Sequence, residues 1–113
     1  MLKKIFRLKG DDLKNFFIEK RKSLKSENFL IFYRPNNLAY PRFSVKPEIK
    51  IFKKAVIRNK LKRRIYEIIR KNWGKLVEKK YDFVILLIKR ELVEKKFKEL
   101  EQELLKLLQK IND

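Results

Sequence analysis

The chain has 113 residues and a formal net charge of +18, with 44% hydrophobic residues and neither Cys nor His. We expect residues 1–113 to form one domain with a modest hydrophobic core. Without Cys there are no disulfides or thiolate metal sites, and without His the commonest general base is missing. No apolar run approaches the about 20 residues that cross a bilayer, so we expect a cytoplasmic protein.

The positive charge is unevenly distributed along the chain. Residues 91–113 hold five Lys and six acidic residues, so the basic excess belongs to residues 1–90. An excess of this size repels itself, and a polyanion relieves that repulsion. The charge therefore favours a nucleic acid as the partner and residues 1–90 as the binding surface.

The first half of the chain predicts one helix and two strands. Residues 11–22 have apolar side chains at helical spacing, with Asp11 or Asp12 as the expected N-cap. Residues 29–34 and 42–46 read as strands, each bounded by turn-forming or proline residues.

The second half predicts two helices around one buried strand. Residues 49–54 are ambiguous and include a possible short strand. A helix is expected over 55–73, with Gly74 ending it. The apolar run 81–88 predicts a strand buried on both faces, and 91–111 a long last helix. The fold class is α+β, an α/β sandwich in the order α-β-β-(β)-α-β-α, with helices packed on a small central sheet.

The run 53–64 combines an apolar stripe with a dense array of positive charge. On a helix at about 100° per residue, one face carries Ile57, Leu61, Ile65 and Ile68. The opposite face carries Asn59, Lys62, Arg63, Tyr66 and Arg70. The pattern predicts a helix that docks on a core while presenting a fixed basic surface to phosphates.

This basic helix resembles the hallmark of the bacterial ribonuclease P protein family. The family pattern Ala-Val-x-Arg-Asn-x-x-Lys-Arg stands here as Ala-Val-Ile-Arg-Asn-Lys-Leu-Lys-Arg over 55–63. Arg7-Leu8, the strand Phe43-Ser44-Val45 and the strand beginning Tyr81-Asp82 also resemble the family in place. The chain departs from the pattern at Lys53, where the family usually has Gly, and at Tyr66, where it often has Arg.

The resemblance implies a protein subunit that binds a large catalytic RNA and helps it to remove the 5′ leader of precursor tRNA. It implies that Mg²⁺ is held mainly by the RNA, that no protein side chain is catalytic and that no protein motif binds a metal. We predict no protein partner. The Glu-rich helix 91–111 reads as a solvated face with interleaved Lys rather than a metal site.

The resemblance also assigns candidate site residues. Those expected to contact RNA are Arg58, Asn59, Lys62, Arg63, Lys53, Lys54, Lys60, Arg64, Tyr66 and Lys46. A separate cleft for the single-stranded leader is expected at Phe17, Phe32 and Leu13, although aromatic residues at this spacing also suit a core. Arg58 lies at the edge of the apolar stripe, where a structural ion pair is the alternative to RNA contact. Tyr66 is predicted to stack on a base or sugar, or to pack against a guanidinium.

Three rival functions fit parts of the sequence. A ribosomal or other structural RNA-binding protein shares the basic α/β composition. An autonomous nuclease would have to use carboxylates such as Asp11, Asp12 or Glu48. A peripheral membrane protein would use the basic helix, although its apolar face is expected to be committed to the core.

Overall fold

The computed structural model describes residues 2–111. The helices and strands are α1 (Gly10–Ile18), β1 (Lys22–Lys25), β2 (Phe29–Pro35), β3 (Arg42–Pro47), α2 (Ala55–Lys71), α3 (Trp73–Leu76), β4 (Tyr81–Leu87) and α4 (Phe97–Gln109). Two 3-10 turns lie at Lys4–Phe6 and Arg90–Glu94. The α+β class is confirmed. Among the described residues, no helix is long and apolar enough to cross a bilayer.

The four strands form one mixed sheet in the order β1-β2-β4-β3. β1, β2 and β4 pair antiparallel, whereas β3 pairs parallel with β4. A parallel pair needs a long crossover, and α2 lies in the connection between β3 and β4. Six of the seven β4 residues are buried, so the prediction of a strand buried on both faces is confirmed.

Helices cover both faces of the sheet. On one face α2 and α4 contribute Leu61, Ile65, Leu100 and Leu104 to a large core shared with Ile31 and other sheet residues. On the other face α1 packs through a smaller cluster of Leu8, Phe16 and Val84. This second face is only partly covered, because α1 has nine residues.

The first predicted helix is too long, and a strand was missed. α1 begins at Gly10, whose φ of +63° suits glycine, and ends at Ile18. Its N-cap position is Lys9, so the prediction of Asp11 or Asp12 as N-cap is wrong; both lie in the first turn. β1 was missed because three of its four residues are exposed and polar, which leaves no apolar alternation to recognise.

The ambiguous segment 49–54 contains no strand. The amides of Ile51 and Phe52 both donate to the carbonyl of Glu48, at 3.1 and 2.8 Å, which turns the chain towards α2. The Phe52 side chain is buried and anchors this turn in the core.

The predicted ends of α2 and α4 also need correction. α2 ends at Lys71, because the side chain of Asn72 donates to the carbonyl of Ile68 at 2.8 Å. Gly74 therefore does not end α2 but lies within the short α3. α4 begins at Phe97, where the carboxylate of Glu99 accepts a hydrogen bond from the Lys96 amide.

The acidic side of α4 was predicted to be a solvated face, but two of its carboxylates bind other parts of the fold. Glu103 accepts hydrogen bonds from the Ser26 hydroxyl and from the backbone and side-chain amides of Asn28. Glu101 accepts one from the side chain of Asn72 at 2.9 Å. These carboxylates tie α4 to the β1–β2 turn and to the end of α2.

Candidate nucleic-acid interface

The outer face of α2 presents the basic array that the sequence predicted. Asn59 and Arg63 are exposed and Lys62 is half-buried, whereas Leu61 and Ile65 are buried. The helix is held by its apolar side, so the outward cations have a fixed spacing. Fixed cations and amides on one helix face can bind successive phosphates of an RNA backbone.

Two open grooves flank this helix, and Lys62 lines both. The first, of about 490 Å³, is lined by Arg7, Asn59, Lys62, Arg63 and Tyr66. We call it the Arg7 groove. The second, of about 370 Å³, is lined by Lys46, Pro47, Glu48, Ile49, Lys50, Arg58, Lys62 and Leu86. We call it the Lys46 groove. Because they share Lys62, the grooves form adjoining parts of one surface.

Arg7 is a component of this surface that the sequence analysis did not list. Its guanidinium donates to the carbonyl of Leu2 at 3.0 and 2.7 Å and lies over the Tyr66 ring, 5.4 Å from the centroid. The Arg7-Leu8 pair is part of the family resemblance, but nothing in its spacing predicts a position beside α2.

Tyr66 lies deeper than the helical period predicted. Only 9% of the residue is exposed, and its hydroxyl accepts a hydrogen bond from the Val45 amide at 3.3 Å. Burial raises the pKa of Tyr66 above its ordinary value, so the hydroxyl stays protonated. The prediction that Tyr66 lies in the middle of the exposed basic face is therefore wrong, since the ring packs against β3. Its packing against a guanidinium is confirmed, with Arg7 as the partner.

Arg58 holds the entrance to α2. One guanidinium nitrogen, Nη1, donates to the carbonyls of Phe52 and Lys53, both at 2.8 Å. Its partners are thus backbone carbonyls, not the carboxylate of the predicted alternative ion pair. Lys53 stands where the family usually has Gly. Its φ is not positive, since Gly10 is the only described residue with a positive φ, so the backbone here does not require glycine.

The flanking cations lie on different sides of the helix. Lys53, Lys54 and Lys60 are exposed, and Lys46 is half-buried in the groove named after it. Arg64 points away from both grooves and donates to the carbonyl of Lys95 at 3.3 Å. Lys53 and Lys54 line a separate hollow with Arg90 and Glu94, so neither they nor Arg64 lie in the two grooves.

The three leader-cleft candidates do come together, between α1 and the sheet. Leu13 and Phe32 pack around the small core of this face together with Leu86. Phe17 is 39% exposed, and its ring meets Phe32 edge-on with centroids 6.4 Å apart. Exposed aromatic rings of this kind can stack on unpaired bases. We call the surface formed by Leu13, Phe17 and Phe32 the aromatic cleft.

Two arginines that contact α1 or its aromatic ring were not predicted from the sequence. Arg21 lies over both aromatic rings, 5.1 Å from the Phe17 centroid and 5.2 Å from that of Phe32, and donates to the Phe17 carbonyl at 2.9 Å. It was missed because residues 19–22 were assigned to the helix. Arg42 on β3 joins Asp82 on β4 to Asp12 on α1 and so fixes α1 to the sheet.

Carboxylates do not gather into a metal-binding group. Within residues 2–111 there is no cluster of three or more Asp or Glu side chains able to hold a metal ion. Of the carboxylates considered for a nuclease, Asp12 is engaged by Arg42, and Glu48 lines the Lys46 groove among cations.

Comparisons with known proteins agree with this arrangement. A family model described as Ribonuclease P matches residues 2–112. The ribonuclease P protein component of Petrotoga mobilis is 40% identical over 114 residues, covering 96% of this chain and 92% of the relative. That of Mycoplasma mycoides is 33% identical over 102 residues, covering 87% and 92%.

Solved structures show the same fold. The ribonuclease P protein of Thermotoga maritima superposes with a TM-score of 0.82 at 35% identity, covering 95% of this chain and 98% of that one. The Staphylococcus aureus protein, at 20% identity, gives a TM-score of 0.75 over 92% and 93% of the two chains, a likeness of fold. The resemblance predicted from residues 55–63 is thus confirmed: the chain belongs to the ribonuclease P protein family.

Proposed function

We propose that this chain is the protein subunit of ribonuclease P and acts as a single RNA-binding domain. It binds the catalytic RNA through the outer face of α2 and the single-stranded 5′ leader of precursor tRNA through the aromatic cleft. By holding both it promotes maturation of the tRNA 5′ end in the cytoplasm.

The observation that carries this proposal is the continuity of the surface. The Arg7 groove and the Lys46 groove share Lys62, and the Lys46 groove reaches Leu86. Leu86, like Leu13 and Phe32 of the aromatic cleft, packs against the small core of Leu8, Phe16 and Val84. One RNA-binding surface therefore runs from the cations of α2 to rings that suit unpaired bases.

We assign the hydrolysis to the RNA subunit. Mg²⁺ held mainly by that RNA would stabilise the attacking and leaving oxygens of the phosphate. In this account the protein contributes fixed positive charge and a binding site for the leader, which raise the affinity for the substrate. Its side chains touch the RNA and not the reacting phosphate.

Selective binding tests the RNA partner. We would compare the affinity of the full chain for ribonuclease P RNA with that for ribosomal RNA of similar length at the same salt concentration. The proposal predicts clear preference for ribonuclease P RNA and loss of that preference in Lys62→Gln/Arg63→Gln. Lys98→Gln/Lys106→Gln, which removes the same charge from exposed positions on α4, is the control. Equal affinity for the two RNAs would favour a structural RNA-binding protein instead.

A further inference from the structure

A basic pocket lies at one end of the sheet, next to the aromatic cleft. It is an open hollow of about 440 Å³ lined by Lys20, Arg21, Lys22, Tyr33, Arg34, Pro35 and Tyr81. This volume falls within the range of about 300–1,000 Å³ that is usual for small-ligand sites. None of the candidate RNA contacts or leader contacts proposed from the sequence lines it.

The pocket has the charge of a phosphate site. Four of its seven lining residues are cations. Lys20 and Lys22 are exposed, and Arg34 forms an ion pair with Glu19 just outside the pocket. Cations gathered in a hollow rather than spread over a convex face raise the local concentration of anions.

The pocket also has an aromatic wall. The Tyr33 and Tyr81 rings meet edge-on with centroids 5.7 Å apart. An aromatic wall beside several cations matches the two chemical parts of a nucleotide, because a base stacks on a ring while its phosphate is held by charge. A bare phosphate or a carboxylate would use only the cations.

Arg21 connects this pocket to the aromatic cleft. It lines the pocket, and its guanidinium also lies over the rings of Phe17 and Phe32. Arg21 is therefore shared by the aromatic cleft and the pocket, which makes them neighbouring parts of one surface. A planar guanidinium at this junction can stack with a base or pair with a phosphate.

We propose that this pocket binds one unpaired ribonucleotide of the precursor-tRNA leader, adjoining those held in the aromatic cleft. The phosphate contacts Lys20, Lys22 and Arg21, and the base lies against Tyr33. The inference rests on the proposed function, since it needs a leader in the aromatic cleft. An unpaired nucleotide of the ribonuclease P RNA has the same chemistry, and the experiment separates the two sources.

The test uses the complex of the full chain with ribonuclease P RNA. Its affinity is measured for precursor tRNAs whose leaders are lengthened one nucleotide at a time. We expect Lys20→Gln/Lys22→Gln to bind the short-leader substrates normally and to lose affinity beyond a threshold length. Two lost contacts to the phosphates of a single strand flatten the dependence of log K on log salt by about 1.4, roughly a sevenfold difference between about 50 and about 200 mM salt. Lys98→Gln/Lys106→Gln is the matched control.

A second variant predicts a gain, which misfolding does not imitate. Glu19→Gln removes the partner of Arg34 and a negative charge beside the pocket. We expect binding of long-leader substrates to become roughly two- to fivefold tighter, the range that one exposed ion pair represents.

The outcomes separate the inference from the function on which it rests. If the unaltered complex binds substrates of every leader length equally, the proposed leader site itself fails. If its affinity grows with leader length but the variants in the pocket behave like the control, only the pocket is overturned. If the variants in the pocket instead weaken binding of the chain to ribonuclease P RNA, measured without precursor tRNA, the leader is the wrong source.

Discussion

Arg42 donates two hydrogen bonds to the buried carboxylate of Asp82, at 2.9 and 2.8 Å, across the parallel pair β3–β4. The same guanidinium reaches Asp12 on α1 at 2.9 Å. One side chain thus joins two strands to the helix that forms a wall of the aromatic cleft. The hydrogen bonds to Asp82 raise the pKa of Arg42, as expected for a cation held by a carboxylate.

Asp82→Asn should therefore be strongly destabilising. It removes the negative charge that compensates a guanidinium only 18% exposed, and we expect the free energy of unfolding to fall by about 2–4 kcal/mol. Asp12→Asn, at the exposed end of the same arginine, should cost less than about 1 kcal/mol. Urea denaturation measures both, and similar losses in the two variants would contradict a network centred on Asp82.

Tyr66→Phe tests the hydroxyl that accepts a hydrogen bond from β3. The change removes the acceptor of the Val45 amide and leaves that amide without this partner. We expect a loss of about 1–3 kcal/mol in the free energy of unfolding, the cost of an unpaired buried donor. A change of a few tenths or less would mean that the 3.3 Å contact contributes nothing.

The pH dependence of stability gives a second test of Tyr66. Its pKa in the folded chain is raised above the ordinary value of 10.0, so folding favours the protonated hydroxyl. This contribution is complete below about pH 10 and is lost as the pH rises through the raised pKa. The unaltered protein should therefore lose stability more steeply above pH 10 than Tyr66→Phe does, as followed by circular dichroism in urea.

Glu103→Ala should destabilise the fold much more than the loss of an exposed carboxylate does. The carboxylate accepts three hydrogen bonds, and its loss leaves the Ser26 hydroxyl and the backbone and side-chain amides of the buried Asn28 without this partner. We expect about 2–4 kcal/mol, against about 0.5 kcal/mol or less for the exposed Glu91→Ala. Thermal unfolding of the two variants measures this difference, and equal melting temperatures would refute the role of Glu103.

Arg58→Lys separates a structural arginine from an RNA-binding one. Lysine keeps the charge but cannot reproduce the paired contact with the carbonyls of Phe52 and Lys53, so stability should fall by about 1 kcal/mol. Arg63→Lys, at an exposed position on the same helix, should leave stability unchanged. Both variants keep the positive charge, so the slope of log K against log salt for RNA binding should stay nearly the same.

Phe17→Leu tests the aromatic cleft without the pocket beside it. Leucine retains much of the apolar contact with Phe32 but cannot stack, so affinity for leader-bearing precursor tRNA should fall while binding of mature tRNA stays the same. The expected loss corresponds to about 1 kcal/mol or more, the lower end for one stacked base. Ile18→Ala, on the neighbouring and more exposed residue of α1, is the control.

The predictable parts of the fold were those with a strong apolar signal. The continuous apolar run of β4 and the helical stripe of Ile65 and Ile68 on α2 are clear signals, and both elements were predicted. The ends were not, because they depend on contacts from distant residues. The Asn72 side chain at the end of α2 donates a hydrogen bond to Glu101. No local sequence pattern predicts a partner 29 residues away.

The candidate site was predictable where chemistry is local to α2. Asn59, Lys62 and Arg63 stand together as the helical period requires. Arg7, Arg21 and Arg42 reach the site only through strand pairing and the docking of α1, and the sequence holds no signal of either. Tyr66 was misplaced because a helical wheel ignores the neighbouring β3, which covers this flank of the helix.

The most direct test of the central claim is cleavage of precursor tRNA at low millimolar magnesium. The protein alone, a bacterial ribonuclease P RNA alone and the two together are compared, and the 5′ end of the product is mapped. We expect efficient cleavage at the mature 5′ end only when both are present, because the protein positions the leader and the RNA carries the chemistry. Cleavage by the protein alone, or no gain when the protein is added to the RNA, would contradict this account.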